Sequence, residues 1–89
     1  MRTFRKGVNE EIREGWDWSD RLIDGDSVTA SSWVVDTGIT TGNAVFDTTS
    51  SDIDISGGTV NTTYRLTNLV TTSKALDYER SFKVQVVER

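Results

Sequence analysis
The chain is predicted to be all-β, a sandwich or barrel of about seven short strands. Three observations carry that prediction. Glycine and polar turns punctuate the sequence at spacings near ten residues. Between the turns, apolar and polar residues alternate with a period of two. No amphipathic helical pattern exceeds about two turns.

The strands can be justified in order. Residues 2 to 6 alternate weakly around Phe4 and form a first edge strand, with Gly7-Val8-Asn9 as the turn after it. Ile12, Trp16 and Trp18 share one phase of the next segment, although Glu14 shares it too. Trp18 and Leu22 stand at i, i+4, so a short helical turn is predicted near residues 18–23. Asp24-Gly25-Asp26 closes it. Val28 to Val35 is a third strand, with Trp33 and Val35 pointing inward. Asp36-Thr37-Gly38 and Thr41-Gly42-Asn43 read as turns around Ile39. Ala44 to Thr48 is a short strand. Asp52 to Ser56 alternates cleanly, with Ile53 and Ile55 inward.

The most regular signal lies at the end. Gly57-Gly58 opens a turn in which positive φ carries no steric penalty. Tyr64, Leu66, Asn68 and Val70 then point one way, and Thr63, Arg65, Thr67 and Thr71 the other. A polar turn at 72–75 leads to a last strand in which Phe82, Val84 and Val86 alternate with Ser81, Lys83 and Gln85. Two long alternating runs joined by a short turn make an antiparallel hairpin.

The 89 residues make one domain, 1–89, with one modest core. The chain has no cysteine and no histidine. That removes disulfides, thiolate chemistry, the usual general base and the commonest metal ligand. Folding in a reducing cytoplasm is expected. Met1 to Lys6 has the charge of a signal peptide but no apolar run behind it, and no window approaches a membrane span. The net charge of −4 and pI of about 4.6 argue against nucleic acid as a partner. Positive charge gathers at Arg2, Arg5 and Lys6. Residues 1–7 are therefore either an edge strand defended by charge or a basic docking arm.

Other residues have two readings each. The three tryptophans fill the core, or Trp16 or Trp18 is exposed and stacks on sugar rings. Asp17, Asp20, Asp24 and Asp26 fall short of the ligand spacing of a calcium loop, and are read as turn caps and loop formers. Asp52 and Asp54 read as a solvated strand face rather than an acid/base pair. Asn61-Thr62-Thr63 matches a glycosylation acceptor, without consequence in the absence of a secretion signal. Asn68 points inward, so its amide must be hydrogen-bonded. Lys83 is out of phase with Asn68, which argues against an isopeptide between them. No catalytic, cofactor or metal residues are assigned.

Two resemblances add to this. Gly57-Gly58, Thr62, Tyr64, Leu66, Asn68 and Val70, followed by Phe82, Val84 and Val86, resemble the last two strands of immunoglobulin-like domains. Tyr64 stands where such folds place a corner tyrosine. Leu66 takes the inward position that holds cysteine in antibodies, which implies a disulfide-free variant. Ser32-Trp33-Val34-Val35 resembles the tryptophan-bearing third strand. The implied fold is a single immunoglobulin-like β-sandwich of about seven antiparallel strands.

More narrowly, Trp16-Asp17-Trp18-Ser19, Trp33, Ser56-Gly57-Gly58-Thr59, Tyr64 with Leu66-Thr67-Asn68, and Asp77 with Glu79-Arg80-Ser81-Phe82 are similar to small virion structural proteins of tailed bacteriophages. That resemblance runs from about residue 11 onward, and the basic N-terminus departs from it. It implies a non-enzymatic virion protein made in the host bacterial cytoplasm. The role would be a multi-copy decoration, cement or adaptor subunit in a symmetric assembly. Its partners would be capsid, neck, tail or fibre proteins, with no nucleic acid, membrane or cofactor. Arg2, Phe4, Arg5, Lys6, Trp16 and Trp18 are the candidate partner-binding residues. The alternative is an adhesin-type module gripping glycans through an exposed tryptophan.

Overall fold
The computed structural model describes residues 2–23 and 25–88. Seven strands run in sequence: β1 (Arg2–Gly7), β2 (Ile12–Asp17), β3 (Val28–Val35), β4 (Ile39–Phe46), β5 (Ser50–Gly57), β6 (Thr63–Thr72) and β7 (Asp77–Val87). They form two sheets, one ordered β1-β7-β6-β3 and the other β2-β5-β4. The fold is an all-β sandwich, as the alternation requires. Each sheet has one apolar face, and both are hidden only when they face each other.

The long hairpin is the spine of the larger sheet. β6 and β7 pair antiparallel from Thr63–Gln85 to Thr71–Asp77. Along β6, Tyr64, Leu66, Asn68, Val70 and Thr72 are buried, which is the predicted phase. Phe82, Val84 and Val86 are buried on β7, and Ile53 and Ile55 face them from β5. Phe82 is the hub. Phe4, Trp16 and Trp33 present ring edges to it, with centroids 5.3, 6.2 and 5.8 Å away. Burying such a ring contributes about 1.5–3 kcal/mol, and each edge-to-face pair adds about 0.5–1.5 kcal/mol. A second cluster, Trp18, Val28 and Val70, lies toward the other end, with Leu22 and Tyr78 against it.

The corner after β5 follows from Tyr64. Its hydroxyl accepts a hydrogen bond from the Thr59 backbone N–H at 2.9 Å. This fixes the 57–62 segment over the start of β6. Gly58 has φ +90°, and a Cβ there would stand 2.7 Å from Val86 Cγ2 and 3.1 Å from the Tyr64 ring. Both the backbone conformation and the ring below it therefore demand glycine.

The structure departs from the sequence reading in two places. β1 lies parallel to β7, Arg2 opposite Phe82 through Gly7 opposite Val87, so the strands are not all antiparallel. Strands joined by most of the chain are free of the hairpin constraint. Thr41-Gly42-Asn43 is not a turn but the middle of β4, where the pairing with β5 shifts between Gly42 and Val45. Asn43 has φ 51° there, so turn residues serve a bulge. Near residues 18–23 the chain makes one turn, with Arg21 N and Leu22 N both donating to Trp18 O at 2.9 and 3.2 Å. This is the short helical turn expected there. Asp24, read as part of the loop that follows, lies outside the described residues.

Candidate functional site
The candidate residues on β1 differ in exposure. Arg2 and Arg5 are exposed, and the Arg2 guanidinium sits 5.1 Å from the centroid of the Phe4 ring. Phe4 is partly buried against Phe82. Lys6 is 0% exposed, and its Nζ donates to Gly7 O at 2.7 Å. Lys6 is therefore corrected from a docking residue to an interior one: β1 is a paired strand, and residue 6 falls beside Val86.

Trp18 is corrected in the same way. It is 0% exposed, and its Nε1 donates to Asn68 Oδ1 at 3.0 Å. Tyr78 stacks on it at 6.3 Å, so neither ring face is open to a sugar. Trp16 is partly buried, packed against Phe82 and under the Arg80 guanidinium, which is 5.4 Å from one of its ring centroids and 4.9 Å from one of Trp18's. Arg80 also holds the turn after β2: its Nη2 donates to both Asp20 carboxylate oxygens at 3.1 and 3.0 Å.

Asn68 is a satisfied core amide. Besides Trp18 Nε1, its Oδ1 accepts the Ser51 hydroxyl, and its Nδ2 donates to Ser31 Oγ at 2.9 Å and Ser32 O at 3.0 Å. Both sheets and the 18–22 turn meet at this side chain.

Asp17, Asp26 and Asp54 are engaged in structural bonds. Asp17 accepts Ser19 N at 3.0 Å, which lowers its pKa. Arg13 donates to Asp54 at 2.6 Å and Asn43 Nδ2 at 3.0 Å, and these bonds hold Asp54 at a pKa of about 2. Burial raises the pKa of Asp26, but hydrogen bonds from Ser73, Thr72, Ser27 and Lys74 outweigh it and bring the value to about 2. Burial on the inward phase of β2 raises that of Glu14. Among the described residues, no three His, Cys, Asp or Glu side chains gather in a way that could hold a metal ion. No helix there is long and apolar enough to cross a membrane.

A further surface lies on the side of the sandwich bounded by β3 and β4. Each is the last strand of its sheet. Val34 is 63% exposed, Val45 49% and Phe46 47%. On the outer face of the larger sheet a groove of about 480 Å³ runs over Ala30, Ser32, Leu69 and Thr71 to Asp77 and Glu79. Its cause is local: register aligns Ser32, Leu69 and Glu79 in one row, and Ala30, Thr71 and Asp77 in the next. Small side chains at the free edge stand beside longer ones further in. This surface was not among the residues singled out from the sequence, yet it carries a signal there. Residues 22–64 contain six aspartates and neither lysine nor arginine. The remaining residues hold all ten basic side chains and eight acidic ones. Apolar residues exposed on edge strands are few in isolated proteins, because such edges recruit other strands.

The family model described as Podophage GP4 fiber-tail adaptor protein gp77 matches residues 6–85. No curated protein matches the sequence.

Proposed function
The chain belongs to the podophage GP4 fiber-tail adaptor family, and from that premise we propose that it acts in the virion as a non-catalytic adaptor between tail and fibre proteins. The observation that carries this reading is the match across nearly the whole chain. The side-chain chemistry agrees with it. The chain contains no histidine or cysteine, and its engaged carboxylates close turns and pair strands. Its hydrogen bonds and ring contacts go into rigidity, which is what a connecting block requires.

An immunoglobulin-like arrangement is part of the proposal. It is supported by the parallel first strand on the last, the β7-β6-β3 and β2-β5-β4 groupings, and the Tyr64 corner. The protein would be made in the host cytoplasm and taken up in several copies, because repeated weak contacts on a symmetric assembly add by avidity. Arg2, Phe4, Arg5 and Trp16 stay on the side of β1 and β2 as candidate contacts. The adaptor reading is preferred to capsid decoration because the family description names tail and fibre.

The test is composition. Gradient-purified particles should contain the protein, and particles made without its gene should carry tails lacking fibres. Absence of the protein from purified particles, or full fibre occupancy without it, overturns the reading.

A further inference from the structure
The geometry points to the free edge of β3, with the groove beside it, as the site that takes an extended segment of a partner protein bearing an arginine or lysine. This deepens the adaptor reading and rests on it, since it names the chemistry by which a partner is gripped.

Four edge strands bound the sandwich, and they differ in charge. β1 carries Arg2, Arg5 and Lys6, and β2 carries Arg13, Glu14 and Asp17. β3 and β4 carry no charged residue. Charge is the ordinary defence of an edge against added strands. β4 is interrupted in its middle by the bulge between Gly42 and Val45, whereas the register shift of β3 falls at its start, between Val28 and Ala30, and leaves Ala30 to Val35 unbroken. An uncharged edge of that length suits main-chain pairing with an incoming strand.

The groove selects the side chain. A strand paired to β3 would lie about 4.8 Å outside it. A short side chain pointing to the outer face would end above Ala30 or Ser32. A long basic one would cross these small residues, lay its methylenes along Leu69, and bring its charge toward Asp77 and Glu79.

The experiment uses the full chain labelled with ¹⁵N and a soluble ten-residue peptide of alternating threonine and valine with a central arginine. The same peptide with glutamate at the centre is the comparison. Expected are shifts and slowed hydrogen exchange at the amides of residues 30–35, with the arginine peptide binding about tenfold more tightly because like charges repel in the other. Ser32→Lys, which fills the groove with its own cation, should abolish the preference, and Glu79→Gln should reduce it. Both positions lie on the outer face, so the fold is retained, as the unchanged remainder of the spectrum would show. Equal binding of both peptides, no binding of either, or shifts confined to β1 or β4 overturns the proposal. Self-association that occupies residues 30–35 without peptide overturns it in favour of a second copy. Presence of the wild-type protein in purified particles is scored separately. A failed peptide result with the protein present removes this site but leaves the adaptor role, whereas absence from particles removes the adaptor role itself.

Discussion
Trp18 and Asn68 meet in the interior with an indole N–H to amide oxygen distance of 3.0 Å, and both side chains are fully buried. The same amide donates to Ser31 and Ser32 on β3 while accepting from Ser51 on β5. A single asparagine thus ties β6, β3, β5 and the turn after β2. It is stable there because every donor and acceptor it has is used.

Asn68→Leu should therefore cost about 2–4 kcal/mol, since it leaves the Trp18 indole only its longer contact to Ser51 Oγ at 3.4 Å and takes the amide partner from two serine hydroxyls. Urea unfolding followed by tryptophan fluorescence measures this. A loss below about 0.5 kcal/mol would mean that the network relaxes onto other partners.

The two glycines Gly15 and Gly42 should respond in opposite ways. A Cβ at Gly15 overlaps the Ser51 carbonyl oxygen and the Asp52 side chain, and the backbone there cannot yield without parting β2 from β5. A Cβ at Gly42 meets nothing within 4 Å. Gly15→Ala is expected to lower stability by about 2 kcal/mol or more. Gly42→Ala is expected to be neutral or to stabilise by up to about 1 kcal/mol through the unfolded chain. Thermal melts of both variants check the contrast.

Tyr64→Phe removes the acceptor of the Thr59 N–H while leaving the ring in the core. The expected loss is about 1 kcal/mol. Hydrogen exchange at the Thr59 amide should rise more than at amides in the centre of β6.

Acid should weaken the fold. The carboxyls of Asp26 and Asp54 are held at about 2, below their ordinary value of 3.8. In the window between these values the unfolded chain binds more protons than the folded one, so stability rises with pH there. It should be fully present above about pH 5 and fall steadily toward pH 2. Urea midpoints measured from pH 2 to 6 should trace this slope, and Asp26→Asn should flatten it.

The regions legible from the sequence were those where one face of a strand is buried and the other wet. Tyr64 to Val70, Phe82 to Val86, and Ile53 with Ile55 show this plainly, because a one-residue slip would turn their apolar set into water. The satisfied amide of Asn68 followed from the same phase, whereas the corner role of Tyr64 came from the resemblance to immunoglobulin-like domains. β4 was less legible, because its outer half is exposed on both faces and alternation carries no burial signal there. Lys6 and Trp18 were misplaced for a related reason. Long amphipathic side chains have apolar stems, and residue type alone does not say whether a neighbouring carbonyl or amide receives the polar tip.

By itself, then, the sequence determined the strands, their buried faces and the all-β class, since these depend on local periodicity and turn chemistry. Tertiary structure alone decided that β1 runs parallel to β7, that the Trp18 indole ends on Asn68, and that small residues on β3 open a groove toward Asp77 and Glu79. Each of these joins residues far apart along the chain. Their meeting is set by how two twisted sheets close on each other, and no short window of sequence contains that information.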